Sequence, residues 1–371
     1  MSEIKQHWQK IELNEILSIS SKKFNPISNN ENKKCVELEH LSQETGKLLG
    51  YTNSSEQQSI KNSFEEGQIL FGKLRPYLKK FWKAEFEGVC SSEIWVMNGK
   101  KVKNDFLFYL VQTEKFNQIA NVSSGSKMPR ADWNYMSEIP FDIPPLKEQE
   151  KIAEILTTWD EAITKQTELL EAKELQKKAL MQKLLSGEVR FNGFNDVWQE
   201  IRLDKLVFFQ EGPGVRNTQY RKSGVKLLNV GNLNNNILNL SSTETYISEE
   251  EAYGVYKHFL VDEGDLLISC SGINSESFKK KIAFVKKEHL PLCMNTSTMR
   301  FKNLKNKLLL EYLYFFFQTL FFEKQVFGVL TGSAQFNFGP THIKWFKIKL
   351  PSLPEQQKIA EVLSLADDEI N

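Results

Sequence analysis

The sequence predicts an α+β protein of two domains, each a mainly antiparallel sheet with helices, separated by long helices that form an antiparallel coiled coil with pseudo-two-fold symmetry. Three observations predict it. One short stretch is written twice, each half mixes β-like with helix-like runs, and roughly 40 consecutive residues hold neither proline nor glycine.

The stretch PPLKEQEKIAEIL (Pro144 to Leu156) returns as PSLPEQQKIAEVL (Pro351 to Leu363), 207 residues later. Over twenty positions, Pro144–Ile163 and Pro351–Ile370 share eleven identities without a gap. Upstream, SGS at Ser124–Ser126 and TGS at Thr331–Ser333 keep the same spacing. Earlier still, WQKIELNEI at Trp8 parallels WQEIRLDKL at Trp198, and EEGQILF at Glu65 parallels DEGDLLI at Asp262. A period near 200 residues far exceeds the roughly 20–50 of a solenoid unit, so these are duplicated domains with agreeing frames and diverged interiors. A chain of 371 residues is also too long for one ordinary core. The boundaries read as 1–143 for the first domain, 144–190 for a helical spacer, 191–350 for the second domain and 351–371 for a short second spacer.

Each repeated stretch is a helix start. Pro144, Pro145 and Pro354 stop the preceding strand, and Glu148 and Glu355 sit in the first turn, where the helix dipole favours a carboxylate. Ile152, Leu156, Trp159 and Ile163 then fall at 4-3-4 spacing, matched by Ile359, Leu363, Ala366 and Ile370, which is the helix-packing seam of a coiled coil. The first helix continues to Gly187, a rod of roughly 60 Å at ~1.5 Å per residue. Gln166, Lys173 and Lys177 interrupt its stripe, so it needs a partner helix, and the second copy, about four turns long, is the natural one. The domains hold strand-like GQILFGKL, SEIWVM, VKLLNV, GDLLIS, KIAFV and TMRFK beside helix-like KNDFLFYLVQTEKFNQIA and KLLLEYLYFFFQTLFFEKQ.

No apolar run is long enough to span a membrane, and the amino terminus lacks the apolar core of a signal peptide, which points to the cytoplasm. The four cysteines (Cys35, Cys90, Cys270 and Cys293) form no CxxC and read as reduced, partly buried thiols, with no metal site. The net charge of +1 means that any electrostatic footprint for nucleic acid is local. No phosphate-binding GxxxxGK[ST] loop, dinucleotide GxGxxG, GxSxG elbow or HExxH appears, and the two-proline site IPPL is not the tetrapeptide of an adenine methyltransferase. The chain is therefore expected to catalyse nothing by itself and to hold no cofactor.

Binding residues are better represented. FGKLRPYLKKFWK (Phe71 to Lys83) interleaves Lys73, Arg75, Tyr77 and Lys79 with further lysines and aromatics, which suits a phosphate backbone and base edges or, equally, an edge strand kept soluble by lysine. SSGSKMPRADW offers Ser126, Lys127 and Arg130, as a DNA-contacting loop or an ordinary turn. Its mirror LTGSAQFNFGP offers Ser333, Gln335 and Asn337, of which the two amides pair well with adenine. In the second domain EGPGVRNTQYR supplies Arg216, Asn217, Gln219, Tyr220 and Arg221, and SCSGINSESFKKK supplies Ser271 and Asn274. The asparagines of NVGNLNNN read first as a turn.

IPPLKEQEKIAEIL, LPSLPEQQKIAEVL, GQILFGKLRPYLKK, GDLLISCSG and the paired Gly-Ser loops resemble the specificity subunit of Type I restriction–modification systems, along nearly the whole chain. The resemblance implies two target-recognition domains alternating with two conserved helical regions. Each domain would read one half of a split asymmetric site in double-stranded DNA, and the helices would act as a ruler for the gap. It also implies partners. Two modification subunits would bring S-adenosylmethionine and methylate adenine, and restriction subunits would bring ATP- and Mg-dependent translocation and cleavage. A full second rod is usual in that family, and the one here is shorter. Three rival readings stay open at this level: a fused enzyme, a coiled-coil scaffold for proteins, and a shortened, non-assembling specificity subunit.

Overall fold

A computed structural model describes residues 7–29, 31–122, 128–274, 277–304, 307–329 and 337–370. The chain divides into two compact units, Met1–Gln166 and Thr167–Asn371. The first begins with β1 (Gln9–Glu12), α1 (Leu13–Ile16), β2 (Leu17–Ile19), β3 (Lys23–Phe24), β4 (Lys34–Val36) and β5 (Thr52–Asn53). It continues through β6 (Lys61–Phe64), β7 (Ile69–Gly72), β8 (Phe81–Lys83), β9 (Gly88–Cys90) and β10 (Ile94–Gly99). Helices α2 (Asn104–Leu110), α3 (Glu114–Ala120) and α4 (Trp133–Ser137) precede β11 (Pro140–Ile143) and the long α5 (Leu146–Ser186), which enters the second unit at Thr167.

The second unit repeats the plan. It holds β12 (Gln199–Arg202), β13 (Val207–Glu211), β14 (Val225–Leu227), β15 (Leu233–Asn234), β16 (Ile237–Leu238) and β17 (Tyr246–Ile247). After α6 (Glu249–Tyr253) come β18 (Leu266–Ser269), β19 (Ile282–Phe284), β20 (Leu292–Cys293) and β21 (Thr298–Asn303). Then follow α7 (Leu310–Phe317), α8 (Leu320–Val329), α9 (Pro340–Ile343), β22 (Lys347–Leu350) and α10 (Leu353–Asp368). No helix of the described residues is long and apolar enough to cross a membrane.

The central sheets correspond strand for strand, and the others in part. The central antiparallel sheet is β2-β10-β7-β8 in one unit and β13-β21-β18-β19 in the other. A second sheet contains β5-β4-β9 and, in the other unit, β17-β14-β20; each includes one parallel pair among antiparallel ones. A two-stranded ribbon closes each unit, β1-β11 and β12-β22. The Asn235-Asn236 pair, both at positive φ, makes the two-residue turn of the β15-β16 hairpin, so that asparagine run is a turn.

Strand alternation fills both faces of each central sheet. Ile69, Phe71, Trp95 and Met97 enter one core with Phe106 and Phe116, while Leu70, Ile94 and Val96 enter another with Trp82. In the second unit Leu266, Ile268, Met299 and Phe301 join an aromatic core with Tyr312, Phe317 and Phe322. The single helix expected over KLLLEYLYFFFQTLFFEKQ is two. Thr319 Oγ1 accepts from Phe322 N at 3.1 Å and restarts the chain as α8, as Thr113 does for α3 by accepting from Phe116 N at 3.3 Å. A Gln-Thr pair marks both breaks.

The repeated Pro-Glu-Gln stretch is the joint between each domain and its helix. Buried Gln149 donates to Pro144 O (2.9 Å) and Lys101 O (3.3 Å) and accepts from Lys103 N (3.2 Å). Buried Gln356 repeats this with Pro351 O (2.9 Å), Lys307 O (2.9 Å) and Leu309 N (2.8 Å). The preceding glutamate takes the indole of the repeated Trp-Gln pair: Trp8 Nε1 donates to Glu148 at 3.0 Å, and Trp198 Nε1 to Glu355 at 3.0 Å. These bonds explain why the two motifs travel together through the duplication.

The seam residues are divided among different roles. Ile152 packs against the first unit's core, and Ile359 and Leu363 are buried in the second unit's core. Ala366 and Ile370 are half-buried, whereas Leu156 is exposed, as are Trp159 at 65 % and Ile163 at 62 %. Within the second unit, Lys173 pairs with Glu369 and Lys177 with Asp367, in antiparallel order. There Met181, Leu184 and Leu185 of α5 share the core of α10. The early seam positions thus serve domain cores first, because their apolar area is removed from water most completely there.

Candidate nucleic-acid interface

In the first unit the chain leaves β7 into a loop that carries Lys73, Arg75, Tyr77 and Lys79. Arg75 (φ 52°) and Lys79 (φ 46°) are both left-handed and bracket a single tight turn, Pro76–Leu78. Such backbone costs of order 1 kcal/mol per residue and persists where the surroundings fix it. Here Lys73 N donates to Glu93 O (2.9 Å), Arg75 N to Pro129 O (2.8 Å) and Ala131 N to Lys73 O (2.9 Å). The β7–β8 loop and the segment around Arg130, read from the sequence as two separate stretches, are therefore one short ladder.

The basic stretch is only partly available. Arg75 and Tyr77 are exposed and Lys73 is half-buried. Lys79 pairs with Glu44 at 2.9 Å, Lys83 pairs with Asp105, and Lys80 donates to Leu38 O. Phe81 and Trp82 are buried in the core, so the expected interleaving of cations with aromatics reduces to Tyr77 at the surface. Strand alternation with both sheet faces covered is the reason. Arg130 is exposed and forked onto Glu93, Nε to Oε2 at 3.0 Å and Nη2 to Oε1 at 3.2 Å. That carboxylate raises the guanidinium further above its ordinary range.

The second unit builds the same edge from unlike side chains. Cys270 N donates to Ser297 O (2.9 Å) and Phe338 N to Cys270 O (3.0 Å). These repeat the Lys73–Glu93 and Ala131–Lys73 bonds. Gly272 N donates to Asn337 Oδ1 at 2.8 Å, tying exposed Asn337 to the turn that carries Ser271. Asn274 Oδ1 is spent on Ser277 N and Oγ, both at 2.8 Å. Glu211–Gly214 joins them: Gly212 N donates to Thr298 O at 3.1 Å. A side-chain carbon at Gly212 would strike the Asn295 carbonyl oxygen at 2.3 Å, so only glycine allows that approach.

Beyond Gly214, Arg216 and Asn217 are exposed and Tyr220 is partly so. Gln219 is not free to read a base. Its Nε2 donates to Glu251 (2.9 Å) and Tyr256 (3.0 Å), and its Oε1 accepts from Arg216 N (3.0 Å). Exposed Arg221 curls onto the carbonyls of Thr218 and Tyr220 at 2.9 and 3.1 Å. Ser126, Lys127, Ser333 and Gln335 lie outside the described residues.

Sequence reasoning missed Glu93 and Glu211. Burial raises the Glu211 carboxyl above its ordinary value at the end of β13. A signal for this edge existed in the small polar runs Ser91-Ser92-Glu93 and Asn295-Thr296-Ser297, which lead into corresponding strands. All four cysteines are buried, and burial pushes the thiols of Cys35, Cys270 and Cys293 up to about 12.

The family model "Type I restriction modification DNA specificity domain" matches residues 5–174 and 195–371. Among relatives, the Type I restriction enzyme EcoDI specificity subunit of Escherichia coli is 34% identical over 169 residues, 44% of this chain and 38% of that protein. The MjaVIII specificity subunit of Methanocaldococcus jannaschii is 25% identical over 295 residues, 76% of this chain and 68% of that one. The S subunit structure from M. genitalium aligns with TM-score 0.60 at 15% identity, covering 98% of this chain and 90% of that one. The HsdS subunit from Thermoanaerobacter tengcongensis aligns with TM-score 0.51 at 18% identity, with 98% and 90% covered; at such identities the likeness is one of fold. With both halves matched, this chain belongs to the family of Type I restriction modification DNA specificity domains.

Proposed function

We propose that this chain is the DNA sequence-recognition subunit of a Type I restriction–modification complex, each domain reading one half of a bipartite asymmetric site. The observation that carries the asymmetry is the pair of corresponding strand edges. One presents Lys73, Arg75 and the Arg130–Glu93 pair, the other Arg216, Ser271, Asn337 and Glu211. Phosphate contacts by the cations position the duplex, and a few side chains specify bases. The helices from Pro144 and Pro351 act as an antiparallel coiled coil that sets the gap. The ion pairs Lys173–Glu369 and Lys177–Asp367 support this order. The exposed apolar residues Ile155, Trp159 and Ile163 of α5 supply docking area for modification subunits. Methyl transfer, with S-adenosylmethionine, and ATP- and Mg-dependent cleavage belong to the modification and restriction partners.

The test is to express the chain with its modification subunit in a host lacking such systems and to map methylated adenines. One split motif with a fixed gap is the expected result. A stable complex that adds no methylation sinks the reading. Duplex binding by the complex should also weaken steeply with salt, log affinity falling by about 0.9 per phosphate contact for each log unit of salt.

A further inference from the structure

We propose that Arg130 reads a guanine in the half-site of the first domain, and that Glu93 is the positioning residue that presents its guanidinium end-on; this rests on the DNA-reading role above. The backbone at Arg130 is fixed on both sides, by Pro129 O accepting from Arg75 N at 2.8 Å and by Ala131 N donating to Lys73 O at 2.9 Å. Glu93, which accepts Lys73 N through its own carbonyl, is part of the same ladder. Its carboxylate takes the guanidinium side-on, through Nε and Nη2 at 3.0 and 3.2 Å.

That geometry decides which donors remain. A guanidinium has five N–H groups in a rigid fork. Glu93 uses the Nε–H and one Nη2–H, which leaves one N–H of Nη1 and one of Nη2 side by side along the end edge. The side chain is 48% exposed, and none of the hydrogen bonds among the described residues uses this edge. In the major groove only guanine presents two acceptors together, O6 and N7, as a bidentate partner for such an end. A cation already paired with a carboxylate gains less from a phosphate, because the pair carries no net charge. The arrangement favours directional reading over backbone attraction.

The second domain supports the assignment by its contrast. Asn337 lies 207 positions after Arg130, the offset of the duplication. The residue after each makes the equivalent bond, Ala131 N to Lys73 O at 2.9 Å and Phe338 N to Cys270 O at 3.0 Å. Where Glu93 supplies its carbonyl in the first domain, Ser297 does so in the second, and it brings no carboxylate. One address in a repeated frame therefore carries an arginine held by a carboxylate in one copy and an asparagine held by the backbone N–H of Gly272 in the other.

The test uses the full chain assembled with its modification subunit, with Arg130→Lys, Arg130→Gln and Glu93→Gln compared by methylation mapping. The unsubstituted complex should show a guanine at a fixed place in one half-site. Both Arg130 variants should lose discrimination at that base pair on the order of ten- to a hundred-fold. Glu93→Gln should relax the same position to a smaller extent. The other half-site should stay as it was, which also reports that the variants fold and assemble. A uniform loss of methylation over all sequences with the motif unchanged overturns the proposal, because Arg130 is then a phosphate contact. A motif relaxed by Arg130→Gln at a position that is not guanine also overturns it. No split motif from the unsubstituted complex removes the DNA-reading role itself, and this proposal with it.

Discussion

The two joints where domain meets helix use one motif, yet they are built to different strengths. In the first unit, half-exposed Glu148 accepts one indole N–H, from Trp8. In the second, Glu355 is 0% exposed and accepts the Trp198 indole and both arms of the Arg190 fork at 2.8 Å. The difference teaches what the duplicated residues do. Gln149 and Gln356 make the same three bonds and so define the joint itself, whereas the glutamate's worth depends on what else reaches it. The central sheets differ in the same way. Val96 lies in an apolar core, while Arg300 at the corresponding place in β21 is buried, bonded to Gln210 and to the carbonyls of Leu260 and His258, and paired with Asp265.

The largest way to sharpen this comparison is Glu355→Ala against Glu148→Ala. Removing the buried carboxylate takes the acceptor from the Arg190 fork and the Trp198 indole and should cost about 3 kcal/mol in the second unit. The half-exposed first joint should lose about 1 kcal/mol. Hydrogen–deuterium exchange resolved by peptide would place the first loss around residues 190–202 and 350–356; equal losses at both joints would break the contrast. Next comes the shared glutamine. Gln149→Ala and Gln356→Ala each leave buried backbone groups without partners, so both should cost about 2 kcal/mol and nearly the same amount. A gap larger than that between the glutamate variants would show that the joints are not equivalent at their base.

The smallest effect concerns Glu211. Its carboxyl is raised by burial, so the folded state holds the proton more tightly than the unfolded one. Stability contributed by the protonated form is fully present below the ordinary carboxylate value, near 4.3, and is lost as pH rises from there through the raised value of the folded state. Glu211→Gln should therefore flatten the pH dependence of the second unit's unfolding, with a small gain at neutral pH and none at acid pH. Urea titrations at several pH values would check it, and a neutral-pH loss would show that the charge has a partner in the native fold.

Much of this was legible because backbone and solvent demands are local. Proline stops, a carboxylate in the first helical turn and a long stretch without proline or glycine locate α5 and α10 directly. The duplication located the paired loops at the strand ends. It also held a sign that was passed over, the Gln-Thr pair where each helical stretch breaks in two.

The sequence by itself determined the repeated frame, the helix starts and the absence of a familiar catalytic motif, since these follow from spacing and residue chemistry along the chain. The tertiary structure decided which side chains are spent. Gln219 is consumed by Glu251 and Tyr256, Lys79 by Glu44, and Phe81 and Trp82 by the core. It also decided that Glu93 meets Arg130 and that Glu355 meets Arg190. The physical reason is that hydrogen bonds and ion pairs act over a few ångströms in space, and residues 37 or 165 positions apart carry no mark in sequence that they will meet.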